Sequence, residues 1–487
     1  MPGVTVRTAT RSGPVNPTVP ESGRYFVVGQ FERGRTDVAQ RVRSLAELEV
    51  LYGSRVPYGS AYDDLRTYFE EGGTEAYAVR VVGPAATKGT LSLVDKAGTP
   101  VPTLKVDAIG AGAWSTGVTV QVAAGTLAGT YKIIVNGPLA DDTETYDNLT
   151  TPADAVAALA RSAYVRATDL GSATAAPNNQ PAVLAATALS AGADDRASIT
   201  ATTMGNGLDL FGVEFGAGAV AIPGYASSLV GAALMAHAKT YRRLALMAPA
   251  VGASTSDAIT AAASLIGTDG EYGGLFYPWV RVPLGGNASK LISPEGYVAA
   301  MRARSHLDVG PWAAPAGERA IARFVMGLER ELTRAQGDTL DEGHVSASRT
   351  IAGTTRLYGW RSLSSDVDNY ALLTGRDVLN TVAYECERRL ERYVFRTIDG
   401  KGQLLASVAG ELVGIVDPMR AAGGLYERYD ADGNLVDPGY SVDVGPTVNT
   451  VAVLNANKIA AVLALRVSPV GTLIDLTIVK AGLTATV

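Results

Sequence analysis

Two hydrophobic periods alternate along this chain, and that alternation limits its fold more than any other feature. Tyr25-Phe26-Val27-Val28-Gly29 is an unbroken apolar run closed by glycine, the pattern of a strand buried on both faces. Ser44-Leu45-Ala46-Glu47 then has the spacing of a capping box, in which the serine hydroxyl and the glutamate carboxylate satisfy free amides at a helix start. Leu45, Leu48 and Leu51 follow on one face, and Gly53 stops the helix. A second helix is expected from about Ser60, with Leu65, Tyr68 and Phe69 inward and Gly72-Gly73 at its end. Residues 76–82 return to the strand pattern, and strand, helices, strand is the order of an α/β layer.

The same order resumes near residue 205. A helix through Leu229 and Ala238 leads to the apolar strand Leu244-Ala245-Leu246-Met247-Ala248, then to an alanine-rich helix over 256–266 and a strand over 275–280. Ser293 reads as an N-cap with Pro294 at the first helical position. Residues 88–200 have a different character: alternating segments at Leu91, Val118 and Tyr131 lie between glycine-rich turns, followed by an alanine-rich helix around 153–163. The last third carries two helical stripes. One is Leu379, Val382, Cys386, Leu390 and Tyr393; the other is Leu405, Val408, Leu412, Ile415 and Met419. Strands are expected over 440–444, 462–467 and 473–479, the last with Ile474, Leu476 and Ile478 on one face.

A chain of 487 residues exceeds one compact core, so several domains are expected. The boundaries read as an extended N-terminal arm over 1–20, an α/β core in two parts over 21–87 and 201–375, a β-rich insertion over 88–200, and a C-terminal α+β domain over 376–487. The arm is rich in proline (Pro2, Pro14, Pro17, Pro20) and lacks the apolar core of a signal peptide. With 47% hydrophobic and 18% charged residues the chain is suited to packed cores rather than to disorder. A net charge of −6 provides no basic field for nucleic acid, and the single cysteine, Cys386, excludes an internal disulfide framework. No charged residue falls between Glu214 and His237, but Pro223 and four glycines interrupt that stretch, so it reads as buried strand, turn and helix rather than a membrane span.

Catalytic patterns are not apparent. His237, His306 and His344 lack metal-ligand spacing, and Gly110-Ala111-Gly112-Ala113 misses the third glycine of a dinucleotide loop. Asp430-Ala431-Asp432-Gly433-Asn434 has its glycine at position 4 rather than 6 of a calcium loop, which favours a hairpin turn. No cofactor and no enzymatic activity are expected.

Several segments resemble the tail sheath family of contractile phage tails and of phage-like contractile injection systems. They are Met1-Pro2-Gly3-Val4, the strand at Tyr25, Val42-Arg43-Ser44-Leu45-Ala46-Glu47-Leu48-Glu49, and the run from Phe69 through Gly72-Gly73 and Ala76-Tyr77-Ala78-Val79-Arg80-Val81. Further along come Ser293-Pro294-Glu295-Gly296-Tyr297, Gly310-Pro311-Trp312-Ala313-Ala314-Pro315-Ala316, Leu357-Tyr358-Gly359-Trp360-Arg361-Ser362-Leu363, and the segment from Ala464 to the end. The resemblance implies an α/β multidomain subunit whose central sheath domain has subtilisin-like architecture, without the G-T-S motif or Asp–His pair of a protease. It implies a structural role: polymerising as a helical sleeve around a tail tube and repacking to drive that tube through an envelope. The implied partners are further copies of the chain, the tail tube protein, and baseplate and tail terminator proteins, in a virion tail assembled in the host cytoplasm without membrane insertion. Val4, Thr5, Val6, Leu473, Ile474, Leu476 and Ile478 are the candidate donated-strand residues. Arg388, Arg389 and Arg392 are candidates to face the tube. A tail tube or capsid protein is an alternative reading, and a subtilisin-like hydrolase a more distant one.

Overall fold

The computed structural model describes residues 21–139, 142–286, 288–473, 476 and 480. Its centre is an eight-stranded sheet in the order Thr354–Leu357, Val345–Ile351, Gly273–Tyr277, Arg243–Met247, Gly218–Ala221, Tyr25–Gly29, Ala76–Arg80, Gln40–Val42. The six inner strands run parallel, and only the two outermost pair antiparallel. Tyr25–Gly29, Arg243–Met247 and Gly273–Tyr277 are buried along their whole length, which is why they read as continuous apolar runs.

Pleating sends alternate residues into two separate cores. Tyr25, Val27, Leu244, Leu246 and Phe276 face one side with Leu65, Tyr68, Tyr297 and Met301 of the helices Ala61–Glu70 and Glu295–Asp308. Phe26, Val28, Val220, Ala245 and Met247 face the other side, against Leu234, Ala258 and Leu340. A Cβ on Gly29 would lie 2.1 Å from that of Ala61, so the helix can begin against the strand end only because residue 29 has no side chain.

Two sequence expectations about helix starts are corrected. The Ser44 hydroxyl accepts from the Glu47 amide at 3.2 Å, but the Glu47 carboxylate accepts from Arg43 N rather than from Ser44. Ser293 does not cap its helix: Pro294 occupies that position, and the Ser293 hydroxyl accepts from Gly224 N at 2.9 Å. A long-range demand for the hydroxyl outcompetes the local one.

Two carboxyls meet in the first core. Asp64 accepts from Tyr25 OH at 2.7 Å and from Gly296 N at 2.6 Å, while Glu295 is fully buried and its Oε2 has no hydrogen-bond partner. Burial, with the Asp64 and Glu295 charges facing each other, raises Asp64 well above the usual carboxylate range. Burial pushes Glu295 up to about 7.

Between Arg80 and Gly218 the chain leaves the sheet and builds two more. Leu184–Ala188, Thr119–Ala124, Tyr131–Asn136 and Thr143–Leu149 form one; Thr90–Val94, Pro102–Ala108 and Val165–Asp169 form the other. They share a core of Leu104, Val106, Val120, Ile133 and Val135, closed by Leu159 of the helix Pro152–Leu159. Arg80 latches this unit to the central sheet. Its guanidinium donates to the carbonyls of Phe31, Gly34 and Ala111 at 3.1, 3.2 and 2.7 Å and to Asp194 Oδ1 at 2.7 Å.

Beyond residue 372, the helices Leu373–Leu390 and Gln403–Ala421 pack together through Val378, Val382, Ile415, Val416 and Met419. The expected stripes shift by one residue at their starts, with Val378 buried in place of Leu379 and Leu404 in place of Leu405. The ribbon Tyr440–Asp443 with Val462–Leu465 lies on this helix pair, and Tyr440, Leu463 and Leu465 turn toward it.

Candidate assembly surface

The ribbon pairs Tyr440 with Leu465, Ser441 with Ala464, Val442 with Leu463 and Asp443 with Val462. Among the described residues no third strand joins 440–443 or 462–465, so none satisfies their outer backbone N–H and C=O groups; just past Leu465 the chain is paired, with Leu425 bridging Val467 and Tyr426 N donating to the Arg466 carbonyl at 2.8 Å. An unprotected ribbon edge is a template for another chain, and two strands alone are marginal in water. Leu473 and Leu476 follow the ribbon, 74% and 75% exposed, and neither lies in a strand. Val4, Thr5, Val6, Ile474 and Ile478, the other candidate strand residues, lie outside the described residues.

Arg388 and Arg389 sit at the end of the Leu373–Leu390 helix, with Arg392 in the turn that follows. Arg388 and Arg389 both reach Glu385, at 2.8 and 3.0 Å. Arg389 and Arg392 each lie 3.6 Å from the Glu411 carboxylate on the second helix. Arg389 and Arg392 therefore tie the helix pair together and Arg388 pairs within its own helix, while side-chain exposures of 55%, 36% and 57% for Arg388, Arg389 and Arg392 leave part of each guanidinium face open.

The same turn holds a residue that sequence reasoning missed. Phe395 is fully exposed, with φ +62°, and Val394 beside it is half exposed. A bulky residue in the left-handed region costs on the order of 1 kcal/mol, and an aromatic in water forgoes its burial energy as well. No periodicity in the sequence marks Phe395; the backbone reversal at this residue is what leaves it exposed. Arg392 and Arg396 flank it, both over the Tyr393 ring at 5.9 and 5.6 Å.

Each histidine and the cysteine has a packing role. His237 Nε2 lies 2.7 Å from the buried Arg243, and burial together with that charge pushes it down to about 3. His344 Nδ1 is 2.9 Å from the Ser362 carbonyl, and His306 lies inside a buried ion cluster. Burial raises the Cys386 thiol, which is partly enclosed on its helix. Asp430 Oδ1 accepts from the amides of Asp432 and Asn434, closing a hairpin turn between Arg428–Tyr429 and Leu435–Asp437. Among the described residues no group of three His, Cys, Asp or Glu is placed to hold a metal ion, and no helix is long and apolar enough to cross a membrane.

The molecule thus presents surfaces for backbone pairing and docking: an α/β body, an attached β-unit, and a helix pair bearing an open-edged ribbon. Among solved structures, several sheath proteins share this arrangement. The anti-feeding prophage helical sheath in its contracted state matches with a TM-score of 0.55 at 16% identity, over 99% of each chain. The PVC sheath of an extracellular contractile injection system, also contracted, matches at 0.53 and 15%, again over 99% of each chain. A sheath tail protein from Listeria innocua matches at 0.59 and 11%, over 90% of each. No family model and no curated protein matches the sequence. The fold is that of contractile tail sheath subunits.

Proposed function

We propose that this chain is the structural subunit of a contractile tail sheath, polymerising as a helical sleeve around a tail tube and repacking from an extended to a contracted lattice. The observation that carries the reading is likeness to sheath subunits over 99% of both chains, two of them in contracted assemblies. The open ribbon supports it. A strand of four residues added to either edge gains backbone hydrogen bonds of about 1 kcal/mol each, with little dependence on side chains. Such bonds tether neighbours while the bodies rotate, and a lattice trapped in its extended form moves one way when repacking buries more apolar surface.

On this reading residues 1–20 and the segment from Leu473 onward are the strands donated to neighbouring ribbons. Residues 21–87 and 201–375 are the body, a subtilisin-like frame used for architecture rather than proteolysis. Residues 88–200 form the insertion, and 376–487 carry the ribbon and face the tube. Baseplate and terminator proteins bound the sheath at its ends in an assembled tail. Negative-stain microscopy of the full chain beside a variant lacking residues 1–20 tests this. Hollow tubes from the first, lost from the second, support strand donation. A chain that stays monomeric even with its cognate tube added sinks the sheath assignment.

The Phe395 tip is the sharper probe of the tube-facing side, because Arg389 and Arg392 already serve the helix pair and Arg388 is paired with Glu385 on its own helix. Phe395→Ala is expected to leave the unfolding midpoint of the free subunit unchanged and to weaken co-sedimentation with the tube about tenfold, as the loss of an aromatic anchor does. Unchanged co-sedimentation would turn the tip away from the tube.

A further inference from the structure

The start of the described chain and the helix that carries the C-terminal unit converge on one buried cluster. Arg302 and His306 stand one turn apart on the helix Glu295–Asp308, and Asp377 lies on Leu373–Leu390. Arg302 Nε is 3.0 and 3.2 Å from the two Asp377 oxygens, and its Nη2 also donates to Asp377 Oδ1. The remaining arm of the same guanidinium, Nη1, donates to the Ser22 carbonyl. His306 completes the ring, with Nδ1 3.1 Å from Ser22 Oγ and Nε2 3.5 Å from Asp377 Oδ2. All four residues are buried, at 2–5% exposure or less.

A buried ion pair contributes little net stability compared with apolar packing, so its usefulness lies in fixing one arrangement over others. Here the geometry fixes two things at once. Arg302 is planar, and holding Asp377 with two of its nitrogens aims the third at Ser22; Asp377 itself does not touch Ser22. Ser22 stands three residues before the central strand Tyr25–Gly29 and one residue, Glu21, after residues 1–20. Tyr68 OH, 3.1 Å from the Gly23 carbonyl, grips the next residue, so the chain is clamped from Ser22 onward.

We propose that Arg302 couples the seating of Ser22, the root of the N-terminal segment, to the docking of the Leu373–Leu390 helix, so that a pull on one is passed to the other. In a sheath, a use that rests on the function proposed above, the cluster would join the strand a subunit donates to the ribbon with which it receives. Coupling of this kind is reciprocal.

Hydrogen exchange of the full chain tests it from both ends. Asp377→Asn is expected to speed exchange about tenfold or more at Ser22–Arg24 as well as at 374–381. Starting the chain at Arg24 should speed exchange at 374–381 by a similar factor, whereas starting it at Glu21 should not. If the chain beginning at Arg24 protects 374–381 as well as the full chain does, Arg302 transmits nothing and the proposal is overturned. The two truncations keep the ion pair intact, so they decide the matter even where Asp377→Asn fails to fold. Exchange is read on the free subunit; failure to form tubes would count against the sheath reading and leave the coupling standing.

Discussion

Replacing Arg80 with methionine is expected to cost the folded chain about 3–5 kcal/mol, the range for removing one partner of a buried ion pair. The side chain is 1% exposed, and its departure orphans Asp194, whose next cation, Arg196, is 4.0 Å away. It also strips the side-chain donor from the carbonyls of Phe31 and Gly34 and leaves that of Ala111 with the Trp114 indole N–H at 3.1 Å. These groups lie on both sides of the junction between the central sheet and the β-unit, so the loss falls on the junction. Denaturant unfolding measures the cost, and limited proteolysis locates it, with new cleavage expected near residues 83–88 and 195–200. Asp194→Asn, which keeps an acceptor, should cost less. A loss under about 1 kcal/mol for Arg80→Met would mean that water replaces the guanidinium and the junction is held by its other contacts.

The second large effect is a gain. Glu295→Gln is expected to stabilise the chain by roughly 3 kcal/mol at pH 8 and to leave it nearly unchanged at pH 4. Glu295 moves from 4.5 to about 7 on folding, a difference of about 2.5 units. Its folded value lies above its unfolded one, so its contribution is fully present below about 4.5 and is lost as pH rises through 7. At pH 8 the native state therefore holds an ionised carboxylate in an apolar core. Ser293 and the first helical amides favour the charge, but burial outweighs them. Asp64 faces it across the helix pair, its own carboxyl raised by burial and by the Glu295 charge, and Tyr25 faces both. Thermal unfolding from pH 4 to 8 reads the difference. A wild-type curve flat between pH 5 and 8 would show that water reaches Glu295.

Much of the central sheet was legible from residue order alone. Strands such as Tyr25–Gly29 and Arg243–Met247 are covered on both faces, so hydrophobic side chains accumulate without alternation and mark themselves. The helix around Leu48 was legible because its cap is local: Ser44 and Glu47 are three residues apart. The Ser293 cap was misread because its hydroxyl serves Gly224, which lies 69 residues away. In the C-terminal helices the stripes at Val382 and Ile415 were visible, but a shift of one residue separated Leu379 from the true contact, Val378. There the seam is set by the partner helix and by Asp377, not by periodicity.

The candidate surface divides along the same line. Apolar alternation announced the two strands of the ribbon, Tyr440–Asp443 and Val462–Leu465, because pairing within a ribbon needs only extended, β-prone chain. Arg388, Arg389 and Arg392 were visible as a charged face, yet the bridges of Arg389 and Arg392 to Glu411 were not, since charge identity carries no information about distance. Phe395 had no signal at all, because its exposure depends on a single backbone reversal.

By itself, then, the sequence determined most of the strands and helices of the central sheet, and that the layers are α/β with a β-rich stretch between them. Periodicity, capping and turn chemistry act within a few residues, and the amino-acid order records them directly. Only the tertiary structure decided that Arg80 meets Asp194, that Arg302 holds Asp377 and Ser22 together, that Glu295 is buried against Asp64, and that no third strand joins the ribbon among the described residues. Those contacts join residues tens to hundreds of positions apart, and which polar groups are left without water is a property of the packed whole.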